Sequence, residues 1–134
     1  MKLTFLGTSS GVPTFDRNVS NINLSLGDTD GSIFVFDCGE GTQNQFRRST
    51  LKSGKITTIF ITHLHGDHIF GLPGFLCTLS GNNPPTRSEV RIYGPVGIFA
   101  YVQRSLQLSD SHSSFTIRIF EIVPPPASTG IYPE

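Results

Sequence analysis

Thr62-His63-Leu64-His65-Gly66-Asp67-His68 holds three of the chain's four histidines together with one carboxylate. Imidazole and carboxylate are ligands that zinc prefers, and a zinc ion typically takes about four of them. Side chains alternate along extended backbone, so His63 and His65 point the same way and can converge on one ion. Asp67 and His68 follow a glycine that permits a tight bend, and they can serve a second ion. The stretch therefore predicts a metal site with His63, His65, Asp67 and His68 as ligands.

The residues on either side of this motif predict a strand before it and a helix after it. Residues 56–61 are apolar and β-branched, which is typical of a buried strand. Asp67 would open the helix, whose apolar positions recur at Ile69, Phe70, Leu72, Phe75, Leu76 and Leu79. A loop between a strand end and a helix start is where α/β folds usually carry chemistry. The alternative is a polar loop that contains histidines by chance, and four clustered donors disfavour it.

The segments before the motif predict further strands. Residues 2–6 form the first strand. In residues 21–26, Asn21, Asn23 and Ser25 alternate with Ile22, Leu24 and Leu26, which predicts a strand with the polar side chains on a wet face. A turn at 27–31 and a buried return strand at 33–36 complete a hairpin. A short helix carrying Phe46 follows Gly41.

The segments after the motif continue the α/β pattern. A surface loop at 82–87 precedes a strand at 90–93. Pro95 would then start a helix that carries Ile98, Phe99, Val102 and Leu106, because proline suits the first helical position. A strand at 115–122 ends residues 1–122, which we expect to be the first half of a domain, and residues 123–134 form a divergent Pro-rich tail.

The motif His63 to His68 resembles the His-x-His-x-Asp-His signature of the metallo-β-lactamase superfamily. Other blocks, in the same order and spacing, are similar to ribonuclease Z. They are Leu6-Gly7-Thr8-Ser9, Arg17-Asn18, Phe36-Asp37-Cys38-Gly39-Glu40-Gly41-Thr42-Gln43, Ile59-Phe60-Ile61-Thr62, Gly71-Leu72-Pro73-Gly74 and Ile92-Tyr93-Gly94-Pro95. The resemblance implies an α/β fold, the metallo-β-lactamase-like αβ/βα sandwich, of which this chain resembles the N-terminal half only.

The resemblance also implies a function. Ribonuclease Z is a zinc-dependent endoribonuclease that removes the 3′ trailer from precursor tRNA with two zinc ions per complete domain. Asp67 would also accept the proton of the attacking water, and the family acts as a homodimer. Ile69, Phe70, Phe75 and Leu76 offer apolar surface near that interface. Two alternatives stay open: another metallo-β-lactamase-fold phosphodiesterase or hydrolase, and a non-catalytic truncated fragment.

Three residues outside the motif receive roles from the resemblance. Asp37 matches the aspartate that orients a metal-binding histidine, and the alternative is a simple helix or turn cap. Arg17 and Asn18 lie in a loop similar to the one that reads the mature CCA end of tRNA. That loop usually carries a basic residue where this chain has Phe15, which leaves discrimination against CCA open. Arg17 could pair with a phosphate or could be a solvated loop charge.

The chain's own donors are too few for two zinc ions. The family's later metal-binding histidines and bridging aspartate have no counterpart here, and His112 lies in a Ser/Asp-rich stretch typical of a solvated loop. We therefore expect the 134 residues alone to be inactive.

The composition of the chain limits which binding partners and which cellular compartment we expect. Ten basic and ten acidic residues balance, so composition alone does not indicate nucleic acid, and we expect tRNA rather than DNA only from the resemblance. No apolar stretch is long enough for a membrane span, and we expect no leader peptide, because a predicted strand begins at Lys2. Cys38 and Cys77 lack CxxC spacing, which favours reduced thiols in the cytoplasm over a disulfide.

Overall fold

A computed structural model describes residues 1–27, 31–82 and 88–123 as a six-stranded mixed sheet with helices. The strands follow one another across the sheet in chain order. They are β1 (Lys2–Gly7), β2 (Asn21–Ser25), β3 (Ile33–Phe36), β4 (Ile56–Phe60), β5 (Glu89–Pro95) and β6 (Thr116–Ile122). The helices are α1 (Thr42–Arg48), α2 (Gly66–Ile69), α3 (Leu72–Asn82) and α4 (Ile98–Leu108), with a 3-10 turn at Ser53–Lys55.

The sheet divides into an antiparallel and a parallel part. β1, β2 and β3 pair antiparallel, with Ile22 opposite Phe5 on one side and Phe36 on the other. The predicted hairpin is therefore confirmed, although residues 28–30 of its turn lie outside the described residues. β3 to β6 pair in parallel, and each parallel connection needs a crossover, which α1, then α2 and α3, then α4 supply. The predicted α/β class is confirmed.

The hydrophobic core lies between one face of the sheet and the helices. On β3 and β5 the core residues alternate, as expected for one face of a pleated sheet. On β4 a register shift opposite Ile33 and Phe34 allows Ile56 and Ile59, three positions apart, both to be buried in the core. The buried residues are Ile33, Val35, Ile56, Ile59, Val90 and Ile92 from the strands and Phe46, Leu72, Phe75, Leu76, Leu79, Ile98 and Val102 from the helices. The core therefore packs β4, which precedes the motif, against the helices that follow it.

The opposite face of the sheet carries a row of aromatic rings. Phe36 stacks on Phe60 at a centroid distance of 5.1 Å, Phe60 on Tyr93 at 5.4 Å, and Tyr93 on Phe120 at 4.7 Å. Phe5, which shares this face through its pairing with Ile22, is 57% exposed. The row therefore forms an apolar surface that the described part of the chain leaves accessible.

β2 turns its asparagines inward, which corrects the predicted wet face. Asn21 and Asn23 are fully buried, whereas Ile22 and Leu24 are only partly buried. The Asn21 side-chain amide donates a hydrogen bond to the Asp37 carbonyl oxygen at 2.6 Å, and Asn23 donates to the Asn21 side-chain oxygen at 2.7 Å. These hydrogen bonds pair both ends of the Asn21 amide and the nitrogen of Asn23, whereas the Asn23 oxygen is buried without a partner among the described residues. The pairing offsets part of the desolvation cost, so polarity alone predicts the wrong face.

The predicted helix after the motif is two helices. The Gly71 N–H donates to the Cys38 carbonyl oxygen at 2.9 Å instead of continuing the helix, and Pro73 has no N–H to donate. The interruption leaves Phe70 65% exposed. Ile69, Phe75 and Leu76 are buried in this chain's own core, so the apolar surface proposed for dimerisation is wrong for these three residues.

α4 begins later than predicted. Pro95 still belongs to β5, where it pairs with Ile122, and α4 starts at Ile98 after Gly97, whose φ is 105°. The Glu121 carboxylate accepts the Gly97 N–H at 2.8 Å, so it satisfies an N–H at the helix start. Phe99 is half exposed, whereas Ile98 and Val102 are buried.

The remaining predictions concern cysteines, loops and membrane spans. Cys38 and Cys77 are free thiols, and burial, with the neighbouring Asp37 charge, raises the pKa of Cys38 well above its ordinary value. No helix in the described ranges combines the length and apolar character that crossing a bilayer needs. Residues 83–87 of the predicted surface loop and 124–134 of the predicted tail lie outside the described residues.

We predict that Gly71→Ala destabilises the protein by about 1–3 kcal/mol, because a Cβ at this position would lie 2.0 Å from the Gly39 carbonyl oxygen. Gly81→Ala is the matched control, since a Cβ there meets no atom of the described residues within 4 Å and alanine favours the helix. Urea unfolding of both variants measures the difference. Equal stabilities would contradict the packing assigned to Gly71.

Candidate metal centre

The motif lies beyond the C-terminal end of β4, in a loop that leads into α2. Three of its imidazoles come together there. The ring centroid of His63 is 4.6 Å from that of His65 and 4.0 Å from that of His68. Extended backbone at His65, with φ −65° and ψ 149°, precedes the turn into α2. The loop between β4 and α2 thus brings the rings of His63, His65 and His68 into contact. Their close spacing in the sequence had predicted this proximity.

Asp37 lies at the end of β3, beside the motif, with backbone in the left-handed region at φ 60°. Its carboxylate is 2.7 Å from His68 Nδ1 and accepts the Thr62 N–H at 2.9 Å. A carboxylate can only accept, so His68 Nδ1 carries the hydrogen and, in the neutral ring, Nε2 keeps a free lone pair. This is how a carboxylate orients a metal-binding histidine from behind. Asp37 does not cap the following helix α1, because Gly41 occupies the N-cap position of that helix.

Thr62 extends the same arrangement to His63. The Thr62 hydroxyl lies 3.0 Å from both carboxylate oxygens of Asp37 and 3.1 Å from His63 Nδ1. When the hydroxyl donates to Asp37, its oxygen can accept from His63 Nδ1, which leaves His63 Nε2 free. One buried carboxylate therefore orients two of the three motif imidazoles.

Asp67 is held from the other side by the loop that follows β1. The Gly11 N–H donates to the Asp67 carboxylate at 2.8 Å, and this hydrogen bond lowers the pKa of Asp67 below its ordinary value. The nearby His68 and His63 charges act in the same direction, whereas desolvation opposes them. The same carboxylate lies 3.4 Å from His68 Nε2. A lowered pKa suits a metal-binding carboxylate and makes Asp67 a weaker proton acceptor.

The side chains of the motif are of the types that zinc binds, and hydrogen bonds orient two of its imidazoles. Among the residues that the structure describes, no group of three or more His, Cys, Asp or Glu side chains is arranged to hold a metal ion. The His63 ring is nearer to His68 than to His65, so the division into a His63–His65 pair and an Asp67–His68 pair stays a prediction. A zinc site closes with about four donors. The described chain supplies part of such a set.

The predicted substrate residues lie in the loop between β1 and β2, which also carries Gly11. Arg17 is exposed and, with Phe15 and Arg48, lines a cavity of about 310 Å³ beside α1. The Asn18 side-chain amide donates to the Glu40 carbonyl oxygen at 2.8 Å, so it attaches the loop to the start of α1. His112 is an exposed loop residue, as predicted. The roles of Arg17 and Asn18 toward a substrate stay predictions.

Sequence reasoning did not identify the supporting residues Gly11, Asn21 and Thr62. Thr62 directly precedes the motif, and this adjacency was a usable signal. Gly11 lies 56 residues before Asp67 in the sequence, and Asn21 alternates with apolar residues as a solvent-facing residue would. Nothing local distinguishes these two from ordinary loop and strand residues.

Comparison with known proteins gives a matching family model and several curated relatives. The family model described as anti-Pycsar protein Apyc1 matches residues 1–99. Ribonuclease Z of Staphylococcus epidermidis is 52% identical over 125 residues, which are 91% of this chain and 40% of that protein. The chain thus spans about two fifths of the length of such curated relatives.

Solved structures agree with the sequence relatives. The short form of human tRNase Z superimposes with a TM-score of 0.83 at 46% identity, over 93% of this chain and 47% of that one. The metallo-β-lactamase fold protein YhfI from Bacillus subtilis has a TM-score of 0.68 at 18% identity, over 96% of this chain and 49% of that one, which shows a shared fold. This chain therefore belongs to the family that the Apyc1 model describes, has a metallo-β-lactamase-like fold, and resembles the N-terminal half of ribonuclease Z.

Proposed function

We propose that the full-length protein containing this chain is a zinc-dependent endoribonuclease that removes the 3′ trailer from precursor tRNA in the cytoplasm. The observation that carries the proposal is the hydrogen bond between His68 Nδ1 and the Asp37 carboxylate at 2.7 Å, in a chain that is 52% identical to a ribonuclease Z over 125 residues. It leaves Nε2 of His68 for a metal ion, beside Asp67. Residues 1–122 would belong to the catalytic domain, and 123–134 would lie outside it.

The motif residues would hold two zinc ions, with His63 and His65 serving one and Asp67 and His68 the other. Zinc, when bound, lowers the pKa of water and stabilises charge on phosphate oxygens. Asp37 and Thr62 keep the imidazoles in orientation, which reduces the rearrangement that metal binding requires. The Gly11 hydrogen bond keeps the Asp67 carboxylate ionised, so Asp67 acts first as a ligand and, at most, as a weak proton acceptor.

The loop that carries Arg17 would contact the RNA. Gly11, on the same loop, donates to Asp67, so the loop adjoins the metal-binding residues. The planar guanidinium of Arg17 suits a phosphate oxygen pair, and Asn18 holds the loop against Glu40. The chain's zero net charge means that much of the phosphate binding would come from outside these 134 residues.

The 134 residues alone would not be a competent nuclease. Four donors shared between two ions leave about two for each, and such a site holds zinc weakly. The aromatic row on the sheet would also remain accessible to water or to other chains. Both features support a catalytic role only within the longer protein.

A second candidate function is hydrolysis of a smaller phosphodiester by the same metal centre. The family model that matches residues 1–99 is described as an anti-Pycsar protein, whereas the curated relatives are named ribonuclease Z, so the comparisons do not agree on one activity. The two candidates share the metal-binding residues and differ in the substrate contacts.

We predict that the purified full-length protein with zinc cleaves precursor tRNA at the 3′ trailer, that a chelator abolishes the cleavage, and that residues 1–134 alone do not cleave. Gel analysis of labelled precursor tRNA measures the products, with bis(p-nitrophenyl) phosphate as the parallel substrate. Turnover of the small diester without tRNA cleavage would favour the second candidate. Chelator-sensitive cleavage by residues 1–134 would refute the claim that donors are missing.

We predict that His65→Ala in the full-length protein removes about one zinc per chain, because it deletes one of the two donors assigned to that ion. Cleavage should fall by at least about 100-fold, since several kcal/mol of metal-derived stabilisation would be lost. Elemental analysis and the tRNA assay measure both effects. His112→Ala is the matched control on an exposed loop histidine, and an equal loss in the two variants would count against the assignment.

We propose a homodimer in which the exposed ring of Phe70 contributes to the interface. Phe70 lies between α2 and α3, beside the metal-binding residues. Phe70→Ser should weaken dimerisation by about 10-fold or more, as truncation of a buried interface anchor does. Phe99→Ser is the control, since Phe99 is also about half exposed but lies on α4. A monomeric mass for the unsubstituted protein in light scattering at micromolar concentration would contradict the proposal.

A further inference from the structure

The left-handed backbone of Asp37 is held by hydrogen bonds on both sides of its Cα. The Asp37 N–H donates to the Phe60 carbonyl oxygen at 2.8 Å, and the Asp37 carbonyl oxygen accepts the Asn21 side-chain amide at 2.6 Å. A non-glycine residue at φ 60° persists where surrounding contacts favour it. The direction of the carboxylate therefore depends on contacts to β2 and β4.

Asn21 is suited to this task because both ends of its side chain are engaged. Its nitrogen donates to the Asp37 carbonyl, and its oxygen accepts the Asn23 amide at 2.7 Å. Both asparagines are fully buried on the core side of β2. A buried amide with both ends paired has one favourable orientation, since rotating it would leave polar groups unsatisfied.

We propose that Asn21 is a positioning residue for the candidate metal site. It holds the Asp37 backbone so that the carboxylate meets His68 Nδ1 and directs His68 Nε2 toward the metal position. Asn23, which donates to the Asn21 oxygen, supports it from the next inward position of the strand. The inference rests on the proposed function because it assumes that His68 binds zinc.

The contact geometry separates this role from simple core packing. The path from Asn21 to His68 runs through two hydrogen bonds at Asp37, of 2.6 Å and 2.7 Å, and no direct contact joins Asn21 to the motif among the described hydrogen bonds. An effect of Asn21 on His68 should therefore vanish when the Asp37 side chain is removed. Such non-additivity is the mark of two residues that act through one network.

The first measurement uses the metal-free full-length protein labelled with ¹⁵N-histidine. Long-range ¹⁵N–¹H spectra report which ring nitrogen of His68 carries the hydrogen. The unsubstituted protein should show the Nδ1–H form, and Asn21→Ala should shift a measurable fraction to the Nε2–H form. Asn21→Ser, a smaller change that keeps a hydroxyl donor, should show a weaker shift and serves if Asn21→Ala fails to fold.

The second measurement is zinc affinity by calorimetry. Asn21→Ala should weaken it by about 3- to 10-fold, less than loss of a group that touches the ligand directly. In an Asp37→Ala background the same substitution should change affinity by less than about 2-fold. Val90→Ala, a fully buried core truncation on β5, controls for lost stability and should leave both readouts unchanged.

Three outcomes overturn the inference. They are an unchanged His68 hydrogen position and zinc affinity in Asn21→Ala, an equal fold loss in the Asp37→Ala background, and the same changes in Val90→Ala. If the unsubstituted protein binds no zinc, the proposed function fails, and the metal-free spectra of Asn21→Ala alone decide the role of Asn21.

Discussion

The site depends on one buried carboxylate, that of Asp37, which is hydrogen bonded to both Thr62 and His68. An ionised carboxylate inside a protein is costly unless its oxygens are satisfied, and these oxygens accept from a backbone N–H, a hydroxyl and an imidazole. The contacts that satisfy the charge are the same contacts that orient the motif. Burying Asp37 and orienting the motif imidazoles therefore depend on the same hydrogen bonds.

The fold serves this arrangement by aligning the ends of neighbouring parallel strands. Asp37 follows β3 and the motif follows β4, and the two strands pair in register from Phe34 opposite Thr58 to Phe36 opposite Phe60. Close backbone packing continues the alignment, since Gly71 donates to Cys38 and leaves no room for a side chain against Gly39. The interrupted helix after the motif is a consequence of this contact.

The two faces of the sheet have different roles. One is covered by helices and forms the core, while the other carries the aromatic row from Phe36 to Phe120. A sandwich of two sheets would cover such a face, and the chain spans about two fifths of the length of its curated relatives.

The sequence by itself determined the strand before the motif and the hairpin, and it predicted the candidate donors, since these depend on residue type and on spacing over a few positions. Only the tertiary structure decided that Asn21 is buried, that Gly11 binds Asp67 and that the helix breaks at Gly71. Each of these depends on a hydrogen bond between residues distant in the chain, so the local pattern carries no record of it. The hydrogen bonds of Asn21 offset part of the cost of burying polar groups, and for that reason the alternation of β2 predicted the wrong face.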